Sequence, residues 1–486
     1  MQTQAAERSR GLKVLLMAMP DTASCFDRLL DIPNLGLCSI AGNIEDLTSN
    51  IRIMDLGVRR RNISRTVARE LERTGPQLIG LSAMSFQYDS ARRIARICKR
   101  WDRSVPVALG GYHATLMHRQ IAEGADRRLF DFLIRGEGEV VFRELVQAIA
   151  SGSKDYTGIR GLSYRSGEAY LHNPPAPLAD LQRLKLPARG YRVYRSFRYM
   201  GRPFDCVETS RGCLHSCTFC SIQKMYGRTF RTYPLERVIA DLRSLKASGV
   251  RGVFLVDDNI TADVPRLKEL CRRIVHAGLQ DLEYIIQASV AGIASDPELP
   301  PLLRQAGFRL VFLGIESGSE RNLKAVGKLG VAGKTAAAVR LLRQAGLIVI
   351  GGFIVGYPDD TASDVRGTFR YAFRLGLDHA IVQCLTPYPG TVLRERMLQE
   401  GLITNLQDFS RYNGFIANVR TRHLSPERIA RIVWAAGIRL YFRPAYILRS
   451  GMWRAYRNVG LGLLAKTLAW AATGFNNNLY RSTHRF

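Results

Sequence analysis

Apolar residues run along this chain in two alternating modes. Short unbroken runs over Leu12–Met19, Ile51–Asp55, Leu78–Ser82, 106–111 and 132–135 read as strands buried on both faces. Segments 33–47, 90–101 and one ending at Ala150 carry the 3.6-residue spacing of helices between them. Strands alternating with helices predict a doubly wound α/β domain over residues 1–150. Prolines 174, 175, 177 and 187 then mark an extended linker over 151–195. From 196 to 400 the alternation resumes. Strands are expected at 205–209, 252–257, 283–287, 309–314, 348–355 and 380–384, and helices at 235–248, 265–277, 298–306, 335–345 and 362–375. Six such units fit a partial barrel of parallel strands. Residues 401–486 read as a helical extension, with 412–414 and the helix 426–442 as a substrate-facing cap.

Both architectures bind ligands at the carboxyl ends of their strands. In the first domain those ends carry Ser82, Gly110-Gly111-Tyr112-His113 and Gly136-Glu137-Gly138, where glycine lets backbone approach a bulky ligand. His113 faces a ligand there or caps a helix. In the barrel they carry Asp257-Asp258, Glu316-Ser317, the run Gly352-Phe-Ile354-Val-Gly356-Tyr-Pro-Asp359, and Thr386–Thr391 with Tyr388. The paired aspartates contact a ligand or cap the helix before Pro265. Tyr388 serves the site or the packing.

The first barrel strand delivers Cys213-Leu-His-Ser-Cys217-Thr-Phe219-Cys220. A structural zinc site needs a fourth ligand, and the spacing of His215 fits no finger pattern. Core packing accounts for the scattered Cys25, Cys38, Cys98, Cys206, Cys271 and Cys384, but poorly for three thiols within eight residues. An odd total of nine cysteines in a long chain without a signal peptide argues against a disulfide framework and for a reducing, cytoplasmic setting. Three thiolates on a cubane of four irons leave one iron open to a further ligand.

The Cys-x3-Cys-x2-Cys spacing, with an aromatic before the last cysteine, resembles the radical S-adenosylmethionine (SAM) family. Gly110–Thr115 and Arg135–Glu139 are similar to recurring segments of its cobalamin-binding (B12-binding) class. The resemblance implies a Rossmann-like cobalamin domain ahead of a partial (β/α)6 TIM-like barrel. It implies a 4Fe-4S cluster on Cys213, Cys217 and Cys220, and SAM chelated at the open iron, with Phe219 against adenine. Asp257 or Asp258 would meet the SAM amino group, Glu316 and Ser317 its ribose, and Gly352, Ile354 and Gly356 its adenine edge. Ser82, Gly110, Gly111, His113, Gly136, Glu137 and Gly138 would surround cobalamin. The Asp-x-His-x-x-Gly segment that ligates cobalt elsewhere is absent, so no histidine takes the lower axial position through it. The implied reaction is reductive cleavage of SAM to a 5′-deoxyadenosyl radical, hydrogen abstraction, and methyl transfer from cobalamin to an unactivated carbon. The rival within the class is oxidative cyclisation or hydroxylation without methyl transfer. An electron donor such as flavodoxin or ferredoxin is implied.

Composition adds one feature. A net charge of +28 suggests an anionic partner. Over 421–486 eleven basic residues face one acid, Glu427, with Trp434, Tyr441, Phe442, Tyr446, Trp453, Tyr456 and Trp470 interleaved. That reads equally as a peripheral membrane segment or a helix packed on the barrel. Nucleic acid ranks third, since no RNA-binding module follows the barrel. A small or lipid-like substrate, such as a terpenoid skeleton or a tetrapyrrole, goes with the membrane reading.

Overall fold

The computed structural model describes residues 11–21, 31–59, 61–328, 330–451 and 486. They form two compact units that divide between Phe197 and Arg198, with Phe486 counted in the first.

The first unit is a seven-stranded sheet in the order β2-β1-β3-β4-β5-β6-β7. Its strands are β1 Val14–Ala18, β2 Ile51–Asp55, β3 Leu78–Ser82, β4 Val107–Gly110, β5 Phe132–Ile134, β6 Leu162–Ser166 and β7 Ala169–His172. The first five run parallel. All five residues of β1 are buried, as a strand covered on both faces requires. Leu15 and Met17 enter one core with helices Ile63–Thr74 and Tyr88–Trp101. Val14 and Leu16 enter the other with Leu35–Gly42 and Gly138–Ala150. Helices on both faces make the unit doubly wound, as expected.

The stretch 151–195 departs from expectation. It is not all linker, because β6 and β7 form an antiparallel hairpin that extends this sheet from β5. Short strands with exposed positions lack the unbroken apolar run that revealed β1 to β4. Helices Ile63–Thr74 and Tyr112–Glu123 also lie outside the sequence expectation. The second is broken at Met117, whose φ of −125° interrupts the regular spacing.

The second unit is a curled open sheet in the order β16-β15-β14-β13-β12-β9-β8. Its six parallel strands are β9 Arg202–Val207, β12 Gly252–Leu255, β13 Glu283–Ser289, β14 Phe308–Glu316, β15 Ile348–Val355 and β16 His379–Cys384. β8, Arg198–Tyr199, pairs antiparallel with β9 at the edge, and the short strands β10 Ser210–Arg211 and β11 Arg231–Thr232 form a separate antiparallel pair. Burial alternates along β13: Tyr284, Ile286 and Ala288 are covered while Ile285, Gln287 and Ser289 stay half-open. One face therefore meets the helices and the other lines a half-barrel. Phe312 lies across Gly352 on the inner face; a methyl on Gly352 would stand 2.5 Å from its ring.

Helix Pro426–Tyr441 packs on the barrel, with Ile429 buried among Val355, Val365, Cys384 and Leu424. Tyr446 donates to the Asp378 carbonyl at 2.7 Å. The packing alternative therefore describes the extension through residue 451. The remaining tail reading, including Trp453, Tyr456 and Trp470, lies outside the described residues, as does Cys25. Among the described residues no helix is long and apolar enough to cross a membrane.

Candidate active site

The cysteine loop is anchored at its root by the end of the next strand. Asp257 is fully buried and accepts from Thr209 N (2.8 Å), Ser210 Oγ (2.8 Å), Thr209 Oγ1 (3.1 Å) and Ser210 N. Asp258 accepts from Gly212 N at 3.0 Å. Gly212 turns the chain at φ 88°, where a methyl would collide with the Thr229 carbonyl oxygen. Asn259 Nδ2 stands 4.0 Å from Cys213 Sγ. Farther along, Thr218 N donates to Val326 O at 3.2 Å and Leu393 N to Thr218 O at 3.0 Å. Loops after β12, β14 and β16 thus hold the cysteines at the carboxyl end of the barrel.

These bonds decide between the two aspartates. The carboxylate of Asp257 is occupied by the strand end it fixes, so it positions the loop. Asp258 is half-open beside Cys220 and holds a single backbone donor, Gly212 N. Neither caps a helix: Asp263 does, accepting from Arg266 N at 2.9 Å. Burial raises Asp257 to about 7 and Asp258 to about 6, against the donors that favour their ionised forms.

Cys217 is buried and its two partners are half-buried. Burial pushes the Cys217 thiol up to about 11 and Cys220 to about 12, and the neighbouring sulfurs add to it. These thiols stay protonated until a metal displaces the protons. Among the described residues no three His, Cys, Asp or Glu side chains gather closely enough for a single metal ion. A cubane does not need that, since each thiolate takes its own iron. The donor set fits a 4Fe-4S cluster better than zinc.

Phe219 packs against a cluster containing Ile354, Tyr357, Val326, Leu385 and Leu393, which joins two of the residues expected at adenine. Gly356, at φ 89°, turns the chain after β15. The acid of this turn is not the expected Asp359, which pairs with Arg422 at the surface. It is Asp360, 2% exposed, accepting from Gly356 N (2.9 Å), Tyr357 N (3.1 Å) and Asn322 Nδ2 (2.8 Å). The Tyr357 hydroxyl is buried and has no hydrogen-bond partner among the described residues. Tyr388 sits in the turn after β16, where Cys220 adds to the burial that raises its phenol to about 12.

Glu316 ends β14 in the left-handed region, at φ 64°. That conformation costs a non-glycine residue about 1–2 kcal/mol. Lys328 supports it, donating to Glu316 Oε1 at 2.8 Å and to Gly314 O at 3.1 Å. Ser317 is 3% exposed and accepts from Ser319 N at 3.1 Å, so its hydroxyl serves the turn rather than an open ribose site. Sequence reasoning missed Lys328 and Asp360. Lys328 lies twelve residues beyond its partner, and Asp360 is one position off the expected spacing.

At the carboxyl end of the first sheet, Gly111 has φ 91°, and a methyl there would stand 2.8 Å from Ala83 O. Gly136 has φ 77° and donates its N–H to Thr115 Oγ1 at 3.0 Å, while half-open Ser82 and Gly110 pair at the ends of β3 and β4. A methyl added to Gly136 would meet nothing within 4 Å, a clear space that suits a bulky planar ligand. Gly138 packs on Ile40. Glu137 accepts from Ala179 N at 2.8 Å and so ties down the proline-rich stretch. His113 is not at this opening. It is 1% exposed, stacked on Tyr88 at 4.1 Å and held neutral by burial, its pKa pushed down to about 3.

Two families match these two sites. The B12 binding domain matches residues 25–146 and the Radical SAM superfamily residues 207–372. An uncharacterized methyltransferase of Pyrococcus horikoshii is 29% identical over 440 residues, spanning 90% of this chain and 94% of that one. The anaerobic magnesium-protoporphyrin IX monomethyl ester cyclase of Cereibacter sphaeroides is 26% identical over 424 residues, spanning 85% and 67%. The structure of the radical SAM methyltransferase TsrM from Kitasatospora setae, with cobalamin and a 4Fe-4S cluster bound, superposes with a TM-score of 0.68 at 20% identity over 89% of this chain and 90% of that one, and so shares its fold. The chain thus joins a B12 binding domain to a radical SAM domain, the pairing seen in cobalamin-binding radical SAM enzymes.

Proposed function

We propose that this enzyme methylates an unactivated carbon of a small, largely apolar substrate. The observation that carries the proposal is the placement of Cys213, Cys217 and Cys220 at the carboxyl end of the half-barrel, with Phe219 packed on Ile354. When bound, the cluster, SAM and cobalamin supply an adenosyl radical and a transferable methyl group. The three cysteines hold the cluster, with Asp257 and Gly212 fixing their loop. Asp258 is placed for the SAM amino group, Glu316 for its ribose, and Ile354 and Gly356 for its adenine. In the first unit, the clear space at Gly136, with Ser82, Gly110 and Gly111, would receive the corrin face.

The half-open inner residues Ile285, Phe312, Ile350 and Ile381, with Gln287 and Gln383 among them, give the barrel a largely apolar lining broken by two amides, which favours a lipid-like or tetrapyrrole substrate. A flavodoxin or ferredoxin would supply the electron. Peripheral attachment to a membrane remains part of this proposal. It is tested by flotation of the full chain and of a chain ended at residue 444 with anionic vesicles. Equal partitioning would refute it.

The test of the reaction is anaerobic purification with iron and corrinoid quantified, then mass spectrometry of products made from cell extract and SAM. A product heavier by one methylene supports methylation. Hydrogen loss or oxygen insertion would instead place the enzyme with the cyclase it resembles. Alanine at the three cysteines should abolish both bound iron and 5′-deoxyadenosine.

A further inference from the structure

The segment that follows helix Glu320–Ala325 is clasped onto the cysteine loop. Val326 O accepts from Thr218 N at 3.2 Å, and Ala325 O accepts from Thr218 Oγ1 at 3.5 Å. Gly327, at φ 77°, passes so close that a methyl there would stand 3.1 Å from Ser216 O. The next residue is Lys328. Its side chain is only 11% exposed and reaches to the end of β14, where a methyl on Gly314 would stand 3.3 Å from Nζ.

An ammonium has three N–H donors. Two are used, on Glu316 Oε1 and Gly314 O. No further partner of Nζ is seen among the described residues, and the charge interacts with the sulfurs of Cys217 and Cys213. Burial opposes the charge, but Glu316 and the two sulfurs together outweigh it and the group stays protonated. The three cysteines become anions when they take iron, and Asp258 adds a carboxylate beside Cys220. Arg228 also donates to the loop, at Leu214 O (3.3 Å), but is exposed to solvent; Lys328 is the buried cation clasped to that loop and offsets them.

We propose that Lys328 is the counter-charge of the cluster loop, a positioning residue that favours cluster assembly and raises the cluster's reduction potential, with Glu316 attenuating it. The potential of an iron–sulfur centre follows its net charge and the hydrogen bonds to its sulfurs. Removing a neighbouring cation makes the reduced, more negative state harder to reach. Neutralising the carboxylate that pairs with that cation does the opposite. The inference rests on the loop's holding a cluster and not on methyl transfer.

The test uses the full chain, reconstituted anaerobically without SAM or substrate. Iron and sulfide are counted, and the midpoint potential is read by EPR-monitored titration. Lys328→Met should shift the midpoint to more negative values, Glu316→Gln to more positive values, and Lys328→Arg should stay close to wild type. Equal iron content with an unmoved midpoint in Lys328→Met overturns the proposal, as do shifts of the same sign in the Met and Gln variants. Should Lys328→Met take up no iron, loading of Lys328→Arg supports the counter-charge role, and failure of both overturns it. A protein that passes this test yet makes no methylated product would refute only the proposed reaction.

Discussion

Asp360 offers a sharp test of how the site is built, because its neighbour is the acid the sequence pattern selects. In Asp360→Ala three buried donors, Gly356 N, Tyr357 N and Asn322 Nδ2, lose their acceptor. An unsatisfied buried donor costs about 1–3 kcal/mol, and the three are not additive, so a local loss of at least about 3 kcal/mol is expected. Asp360→Asn keeps the shape and one oxygen. The amide nitrogen that replaces its other oxygen then faces a donor, for a loss of about 1–2 kcal/mol. Asp359→Asn removes only the pairing with Arg422, in which both side chains are nearly half-exposed, and should cost less than about 1 kcal/mol. Hydrogen exchange over peptides covering 353–361 reads these numbers locally. At about 1.4 kcal/mol per tenfold, Asp360→Ala should lose about a hundredfold of protection at Gly356 and Tyr357, and Asp359→Asn almost none. Weakened SAM binding should follow in the Asp360 variants, since the turn carries Ile354 toward Phe219. Equal loss in the two Asn variants, or protection kept in Asp360→Ala, would refute the reasoning.

Gly212→Ala forces a left-handed alanine into the Thr229 carbonyl and should abolish iron uptake. Gly136→Ala meets open space and should cost only about 1–2 kcal/mol in urea unfolding while weakening corrinoid binding, measured by absorbance titration. Tyr357→Phe removes a buried hydroxyl with no partner among the described residues, so the cluster-free protein should keep its urea midpoint or gain up to about 1 kcal/mol; a clear loss would refute this reading of the hydroxyl. His113 is held neutral in the fold with its pKa near 3 against about 6.5 when unfolded, so protons bind the unfolded chain preferentially. Its contribution is complete above about pH 6.5 and declines as pH falls toward 3, the loss reaching about 2 kcal/mol at pH 5. His113→Phe should flatten that part of the acid unfolding curve.

The fold was legible wherever burial imposes a period. β2, β3, β15 and helix Ala362–Leu375 match their expected bounds residue for residue. Burial on both faces or a capping box marks each of them. The hairpin β6–β7 escaped because its outer strand is mostly exposed, so no apolar alternation betrays it. In the site, cysteine spacing was enough to place three thiols together, since it is a local property of one loop. The roles of Asp257 and Ser317 were not legible. Whether a carboxylate or hydroxyl faces a ligand or a backbone amide depends on chain brought in from elsewhere, here Thr209-Ser210 and the turn at Ser319. His113 failed for the same reason: Tyr88, from the preceding helix, covers it.

The hairpin also dictates how the molecule can be dissected. A fragment cut after Ala150 would bare one whole side of β5, whose Phe132, Leu133 and Ile134 pair with Tyr164, Ser163 and Leu162. Such a ragged border invites strand addition by another copy, and the piece would precipitate for reasons unrelated to its vitamin affinity. Expression of the isolated corrinoid-binding half therefore calls for a stop at or beyond Phe197.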